Sequence, residues 1–176
     1  FNASDPPVRV LCSIELNLSP DGSGDMQGDF LEELDLVLGS FHSRLRETED
    51  QTDRYIAALD NPHVHILGHP RGRIYDFRLG LTANWAEVFD HAASLDKAVE
   101  IDCFPDRQDL SVEPLKVAAR CGVRVSLGTD SHHHSQLGYI AFGLAAAALA
   151  GLPKERVVNF MTLPRLHSWV KSLRQR

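Results

Sequence analysis

Five short apolar runs recur along the 176-residue chain at an even pace, over 8–18, 36–41, 64–67, 98–101 and 123–127. Segments of helical length lie between them, at 30–33, 49–59, 85–95, 112–121 and 137–150, and a last helix over 154–158 leads into 166–173. Uninterrupted apolar runs read as strands buried on both faces, and their alternation with helical segments is the pattern of βαβ units. The expected fold class is therefore α/β with a parallel sheet. Thr48, Asn84 and Ser111 stand where helix N-caps belong, and Gly122 and Gly151 stand where C-caps do. No Pro-Gly-Ser linker or charge block divides the chain, so one domain or part of one is expected.

The polar residues at which the strand runs meet their loops are Glu15, His42, His69, Glu100 and Asp130, spaced by 27, 27, 31 and 30. A period of one strand plus one helix predicts that they stack at equivalent heights across the mouth of a barrel-like sheet. A single histidine in such a place is more often a hydrogen-bonded core residue, but His42 and His69 together with Glu15 read as ligands for zinc, manganese or iron. Asp130 and His132, two apart after the last strand, can face the same point. His133 and His134 read as a solvated loop, His63 and His65 as surface or packing residues near a strand start, and His91 and His167 carry no signal. Glu100 reads equally as an acceptor supporting a ligand histidine or as an ion-pair partner of Arg107. Arg44, Arg71, Arg73 and Arg107 all follow strand ends, where guanidinium forks suit substrate phosphate.

Composition narrows the classes. Eighteen Lys and Arg against twenty-four Asp and Glu leave a net charge of -6, which excludes an overall cationic surface for duplex binding but leaves a locally positive cleft open. The longest uncharged apolar stretch, 139–152, falls short of the ~18 to 20 residues that span a bilayer, so no membrane partner is expected. Cys12, Cys103 and Cys121 are odd in number and far apart, which reads as reduced thiols and a cytoplasmic location, with Cys103 a core residue. Phe1 in place of an initiator Met leads us to expect a piece of a longer chain.

Five ordered motifs carry a resemblance. Ile14-Glu15-Leu16-Asn17 with Pro20-Asp21-Gly22-Ser23 comes first, followed by the run from Leu36 to Ser43 around His42, and by Ile66-Leu67-Gly68-His69-Pro70 with Gly72-Arg73. Glu100-Ile101 with Pro105-Asp106-Arg107 and Asp109-Leu110, then Gly128-Thr129-Asp130-Ser131-His132, complete the set, and the match continues through Val157-Val158-Asn159. In these the chain resembles the polymerase and histidinol phosphatase (PHP) domain, in particular the form attached to bacterial family-X DNA polymerases and its stand-alone phosphoesterase relatives.

The resemblance implies a distorted (β/α)7 TIM-like barrel that holds up to three divalent ions, Zn or Mn, and hydrolyses phosphoesters with metal-activated water. On this pattern Glu15 bridges two ions, His42 and His69 complete one site, Asp130 serves the other and also orients or deprotonates the water, and His132 serves a third. The family's opening His-x-His, with an Asp and a His before the bridging Glu, has no counterpart, and five strand runs stand where the family has seven. Residues 1–176 are accordingly expected to be the C-terminal portion of a single PHP domain, its N-terminal strands missing, with that segment or adjoining domains as partners. The substrate expected is a phosphorylated small molecule or a nucleic-acid 3' end, the latter implying DNA end processing as exonuclease or phosphatase. Two other classes stay open: a non-catalytic structural or interaction module, and a metal hydrolase of C–N bonds, against which the loop arginines argue.

Overall fold

The computed structural model describes residues 2–4 and 7–175. Strands β1 (Ser13–Asn17), β2 (Leu36–Ser40), β3 (Ile66–Leu67), β4 (Ala98–Asp102) and β5 (Arg124–Gly128) pair in parallel in chain order. Helices α1 (Gly28–Glu32), α2 (Thr52–Asp60), α3 (Trp85–Ser94), α4 (Val112–Cys121), α5 (Ile140–Leu149) and α6 (Leu163–Leu173) complete an α/β fold. All five apolar runs supply a strand. The first begins at Ser13 rather than at residue 8, because the Cys12 N–H is given to the Asp35 carboxylate at 2.8 Å and Val8 and Val10 project outward, 65% and 53% exposed.

Local chemistry explains three of the helix ends. Asn84 caps α3 through the Glu87 N–H, and Gly122, at φ +68°, ends α4 in the left-handed region that favours glycine. Asp50 rather than Thr48 turns the chain into α2, accepting the Thr52 N–H at 2.8 Å. The 137–150 stretch divides into a 3-10 turn, His134–Tyr139, followed by α5, and 154–158 forms 3-10 turns rather than a helix.

Strand register defines two faces, because side chains alternate along each strand. Leu16, Val37, Leu67, Val99, Ile101, Val125 and Leu127 share one face and enter a core with residues of α1 to α5. α2 packs on α3, α3 on α4 and α4 on α5, so the crossover helices follow one another on this side. Consecutive strand order with such helices is compatible with a TIM-like barrel. On the other face Ile66 and Ala98 pack with Trp169, Val170 and Leu173 of α6, flanked by Leu36 and Leu38. This helix covers only the N-terminal half of that face. Toward the strand C-termini the same face carries the buried polar side chains Ser40, Glu100 and Asp102. The free side of β5 is met by Val157, which bridges Val125, and by the Asn159 amide, which bonds both the N–H and the C=O of Leu127 at 2.7 and 2.9 Å. Among the described residues no helix is long and apolar enough to cross a membrane.

Candidate metal centre

Glu15, His42 and His69 converge at the C-terminal end of the polar face, their ligand atoms all within 4.8 Å of one another. Both Nε2 atoms address the same oxygen, Glu15 Oε1, at 3.1 Å from His42 and 2.6 Å from His69. The His69 hydrogen bond, helped by charge on both imidazoles, outweighs partial burial and holds the Glu15 carboxyl at about 2. Burial opposes the charged form of His69, yet the bond to Glu15 and the charges of Glu100 and Glu15 raise its pKa. Two imidazole nitrogens and a carboxylate oxygen aimed at one point are a donor set that fits a single divalent ion.

The expectation of a common height needs correction. Glu15 registers with Leu38, Ile66, Ala98 and Arg124, so His42 lies four residues beyond that layer, His69 three, Glu100 two and Asp130 six. Even spacing along the chain reflects loop and helix lengths. The cluster forms because the two histidine loops fold back over the sheet, and α2 holds both of them. Arg54, buried in that helix, donates to the carbonyls of Ser43 and Arg44 at 2.7 and 3.4 Å and lies over the Phe41 ring, 4.0 Å from its centroid. Tyr55 donates its hydroxyl to Pro70 O at 2.5 Å.

Glu100 sits beneath the cluster, its Oε2 accepting the His69 main-chain N–H at 2.7 Å. Burial pushes this carboxyl up to about 7. Arg107 does not pair with it; its Nη1 lies 2.8 Å from Asp130 Oδ2 and 3.5 Å from Asp102 Oδ2. Asp109, fully buried, accepts the N–H groups of Arg71 and Arg73 at 2.9 and 3.3 Å and pins the loop after His69 to the loop after β4, with burial raising its carboxyl to about 6.

A cavity of about 340 Å³ opens over the cluster, lined by Glu15, His42, His69, Asp130 and His132 together with Arg73, Arg78 and Arg107. Asp130 and His132 therefore share the mouth with the three-residue cluster without joining it, and the exposed His132 ring bonds the Asp130 carbonyl through Nδ1 at 2.8 Å. Arg44 and Arg71 do not reach the cavity lining. Arg44 pairs with Glu47 at 2.8 Å, and the Arg71 guanidinium donates to the carbonyls of Leu79 and Leu81. Arg78 lines the cavity instead, although no sequence cue marks it, because it enters through a loop whose course depends on bonds between distant segments. Its charge is opposed by burial and by the neighbouring charges of Arg107 and Arg46. Such a cationic cluster is relieved by an incoming anion.

Three of the other histidines, His65, His91 and His133, and the cysteine Cys103 serve structure. His65 is buried and accepts the Val37 N–H, His91 pairs with Asp60 at 2.7 Å, and His133 caps the 3-10 turn that follows it. Burial pushes the Cys103 thiol up to about 12, which fits its place in the core.

Over 172 residues, 97% of its length, the chain is 32% identical to the DNA polymerase/3'-5' exonuclease PolX of Bacillus subtilis (strain 168) and covers 30% of that protein. It is 28% identical over 156 residues to a probable phosphatase of Syntrophotalea carbinolica and 27% identical over 156 residues to the probable phosphatase YcdX of Escherichia coli (strain K12 / DH10B). It spans 65% and 64% of those two proteins. No family model matches the chain.

Proposed function

We propose that the chain is a member of the PHP family and acts as a metal-dependent phosphoesterase on phosphate mono- or diesters. The observation that carries the reading is the meeting of Glu15, His42 and His69 at the base of a cavity rimmed by arginines. The names of the relatives, phosphatase and 3'-5' exonuclease, agree with it. The consecutive parallel strand order suits part of a (β/α) barrel of the PHP type.

In this reading Glu15, His42 and His69 hold one divalent ion, zinc or manganese, and Asp130 and His132 serve further ions at the same mouth. A bound ion supplies Lewis acidity toward a phosphate oxygen and a lowered pKa for the attacking water. The chain's own groups do the rest. Arg73 and Arg78 each use one N–H on the backbone, at Arg107 O and Gly72 O, and the remaining guanidinium donors are available to phosphate oxygens. Arg107 bridges Asp102 and Asp130, which orients the Asp130 carboxylate toward the cavity as an acceptor for the water proton. Glu100 fixes the His69 loop, so the ligand nitrogen stays in place as substrate enters.

Phosphate release from p-nitrophenyl phosphate and from a 3'-phosphorylated oligonucleotide, measured on protein reloaded with zinc or manganese after chelation, tests the proposal. Turnover that disappears on chelation and returns with the ion is expected. Absence of turnover in the fully loaded protein would overturn it.

A further inference from the structure

The loop that follows His69 does more than bring Arg73 and Arg78 to the cavity. Between these two arginines the chain makes a tight turn, closed by hydrogen bonds of Ile74 and Arg78 to each other at 2.9 and 2.8 Å. The Tyr75 N–H bonds Asp106 O at 2.6 Å, which ties the turn to the loop carrying Arg107. The turn is thus built and held, yet it presents two aromatic rings to solvent, with Tyr75 67% and Phe77 63% exposed. Scattered exposed apolar residues are ordinary. Two rings on one three-residue turn, flanked on both sides by residues lining the arginine-bearing cavity, are a more specific arrangement. Arg46 adds a third flat group, its guanidinium 4.7 Å from the Phe77 centroid, and its neighbour Leu45 also lines the cavity.

We propose that Tyr75 and Phe77, with Arg46 stacked on Phe77, form a base-stacking subsite at the rim of the cavity for unpaired nucleobases of a single-stranded nucleic-acid end. The inference rests on the phosphoesterase reading for what fills the cavity itself. Aromatic rings and guanidinium planes stack on nucleobases of any sequence, and the faces of those bases are available only when the strand is unpaired. The charge pattern agrees. A chain of net charge -6 is poorly suited to tracking a long duplex, whereas a local arginine cluster beside stacking rings suits a strand end. Phosphate at the arginines and bases on the rings separates a nucleic-acid ester from a small aliphatic one, since the aliphatic ester would leave the rings untouched.

The test compares binding of a short fluorescein-labelled oligothymidylate, with phosphorothioate linkages to slow hydrolysis, with binding of an abasic strand of the same length and linkage. Anisotropy on the intact, metal-loaded protein is expected to show about 5- to 150-fold tighter binding for each stacked base than the abasic strand allows. In the Tyr75→Ala, Phe77→Ala double variant this preference should vanish while abasic binding stays unchanged, and Tyr75→Phe with Phe77→Trp should preserve it. Both residues are exposed, and an unchanged thermal transition checks that the variants remain folded. Equal affinity for the two strands in the wild type, or a preference that survives in the double alanine variant, would overturn the subsite. Phosphoester hydrolysis without a base preference would refute this inference alone. A base preference without hydrolysis would support the subsite and refute the catalytic reading instead.

Discussion

Glu100 Oε2 lies 2.7 Å from the main-chain nitrogen of His69, so a carboxylate buried in β4 fastens the loop that carries one histidine of the cluster. The neighbouring strands make room for it. A Cβ at Gly128 would fall 1.9 Å from Glu100 Oε1, and one at Gly68 would fall 3.5 Å from Oε2. The carboxylate therefore occupies the space that a side chain at Gly128 on β5 would otherwise fill, whereas after β3 it is the Ser40 hydroxyl that fills the space beside Gly68.

Two substitutions should accordingly damage the site without touching a ligand. Glu100→Ala leaves the His69 N–H without its acceptor, which costs about 1–3 kcal/mol of stability and lowers metal affinity about 10- to 100-fold. Gly128→Ala drives its new methyl into the same carboxylate and should lose metal affinity to a similar degree. Glu100→Gln keeps an acceptor oxygen and should bind metal within a few-fold of wild type. Competition titration with a chromophoric chelator, alongside denaturant unfolding, separates these outcomes. Wild-type affinity in Glu100→Ala would remove the positioning role.

Asp130→Asn should lower phosphoesterase turnover of the intact protein more than ~100-fold without unfolding it. Asp130 holds φ +45°, a left-handed conformation that asparagine tolerates, so the backbone is undisturbed. The amide loses the negative charge that faces Arg107 and the cavity. His133→Ala, at a residue outside the cavity lining, is the control and should be nearly silent. Equal turnover at matched metal occupancy would show that Asp130 only anchors Arg107.

The strands were legible because a parallel sheet buried on both faces writes continuous apolar runs, and β4 is buried at every position. Residues 8–12 show the limit of that signal. Val8 and Val10 have the composition of a strand, but pairing partners decide whether a strand forms, and the Cys12 N–H goes to a side chain. Glu15, His42 and His69 were legible because their residue types and loop positions suit one ion. Their heights in the sheet were not, since register is a relation between strands. Arg78, Arg54 and Tyr55 stayed hidden for a related reason: each acts through a backbone carbonyl that only folding brings near, namely Gly72, Ser43 and Pro70. Arg44 and Arg71 follow strand ends as Arg73 does, yet local bonding turns them to other partners.

His65 predicts a pH dependence of stability. Its Nδ1 accepts the Val37 N–H at 3.0 Å, while its Nε2 is buried without a partner among the described residues. Burial, with the nearby charges of Arg174 and Lys97, lowers its pKa to about 4. The unfolded chain takes up this proton near pH 6.5 and the folded chain only near 4, so the contribution is complete above 6.5 and is lost as pH falls from 6.5 to 4. The loss amounts to about 3 kcal/mol. His65→Asn keeps an acceptor near the Val37 N–H but does not titrate. Urea unfolding across that window should show the wild type losing more stability than the variant toward acid, and parallel curves would exclude His65 as the source.

The ion itself is the last test, because the geometry fixes which side chains must matter to it and by how much. Glu15 Oε1 receives both imidazoles, so Glu15→Ala removes the centre of the cluster, whereas His42→Ala and His69→Ala each remove one arm. Loss of a direct ligand should exceed the 10- to 100-fold typical of a supporting residue, so each variant is expected to bind zinc or manganese more than ~100-fold more weakly. The two histidines should differ in stability. The His69 side chain is 11% exposed and packed beneath its loop, while that of His42 is 48% exposed, so His69→Ala should also lower the thermal midpoint of the metal-free protein and His42→Ala should leave it nearly unchanged. Ion at 100 times its Kd should stabilise the wild type by about 2.7 kcal/mol, an increment that chelation abolishes and that all three variants should lack at the same ion concentration. A wild-type increment persisting in Glu15→Ala would place the ion elsewhere in the mouth, at Asp130 and His132, and would refute the three-residue site.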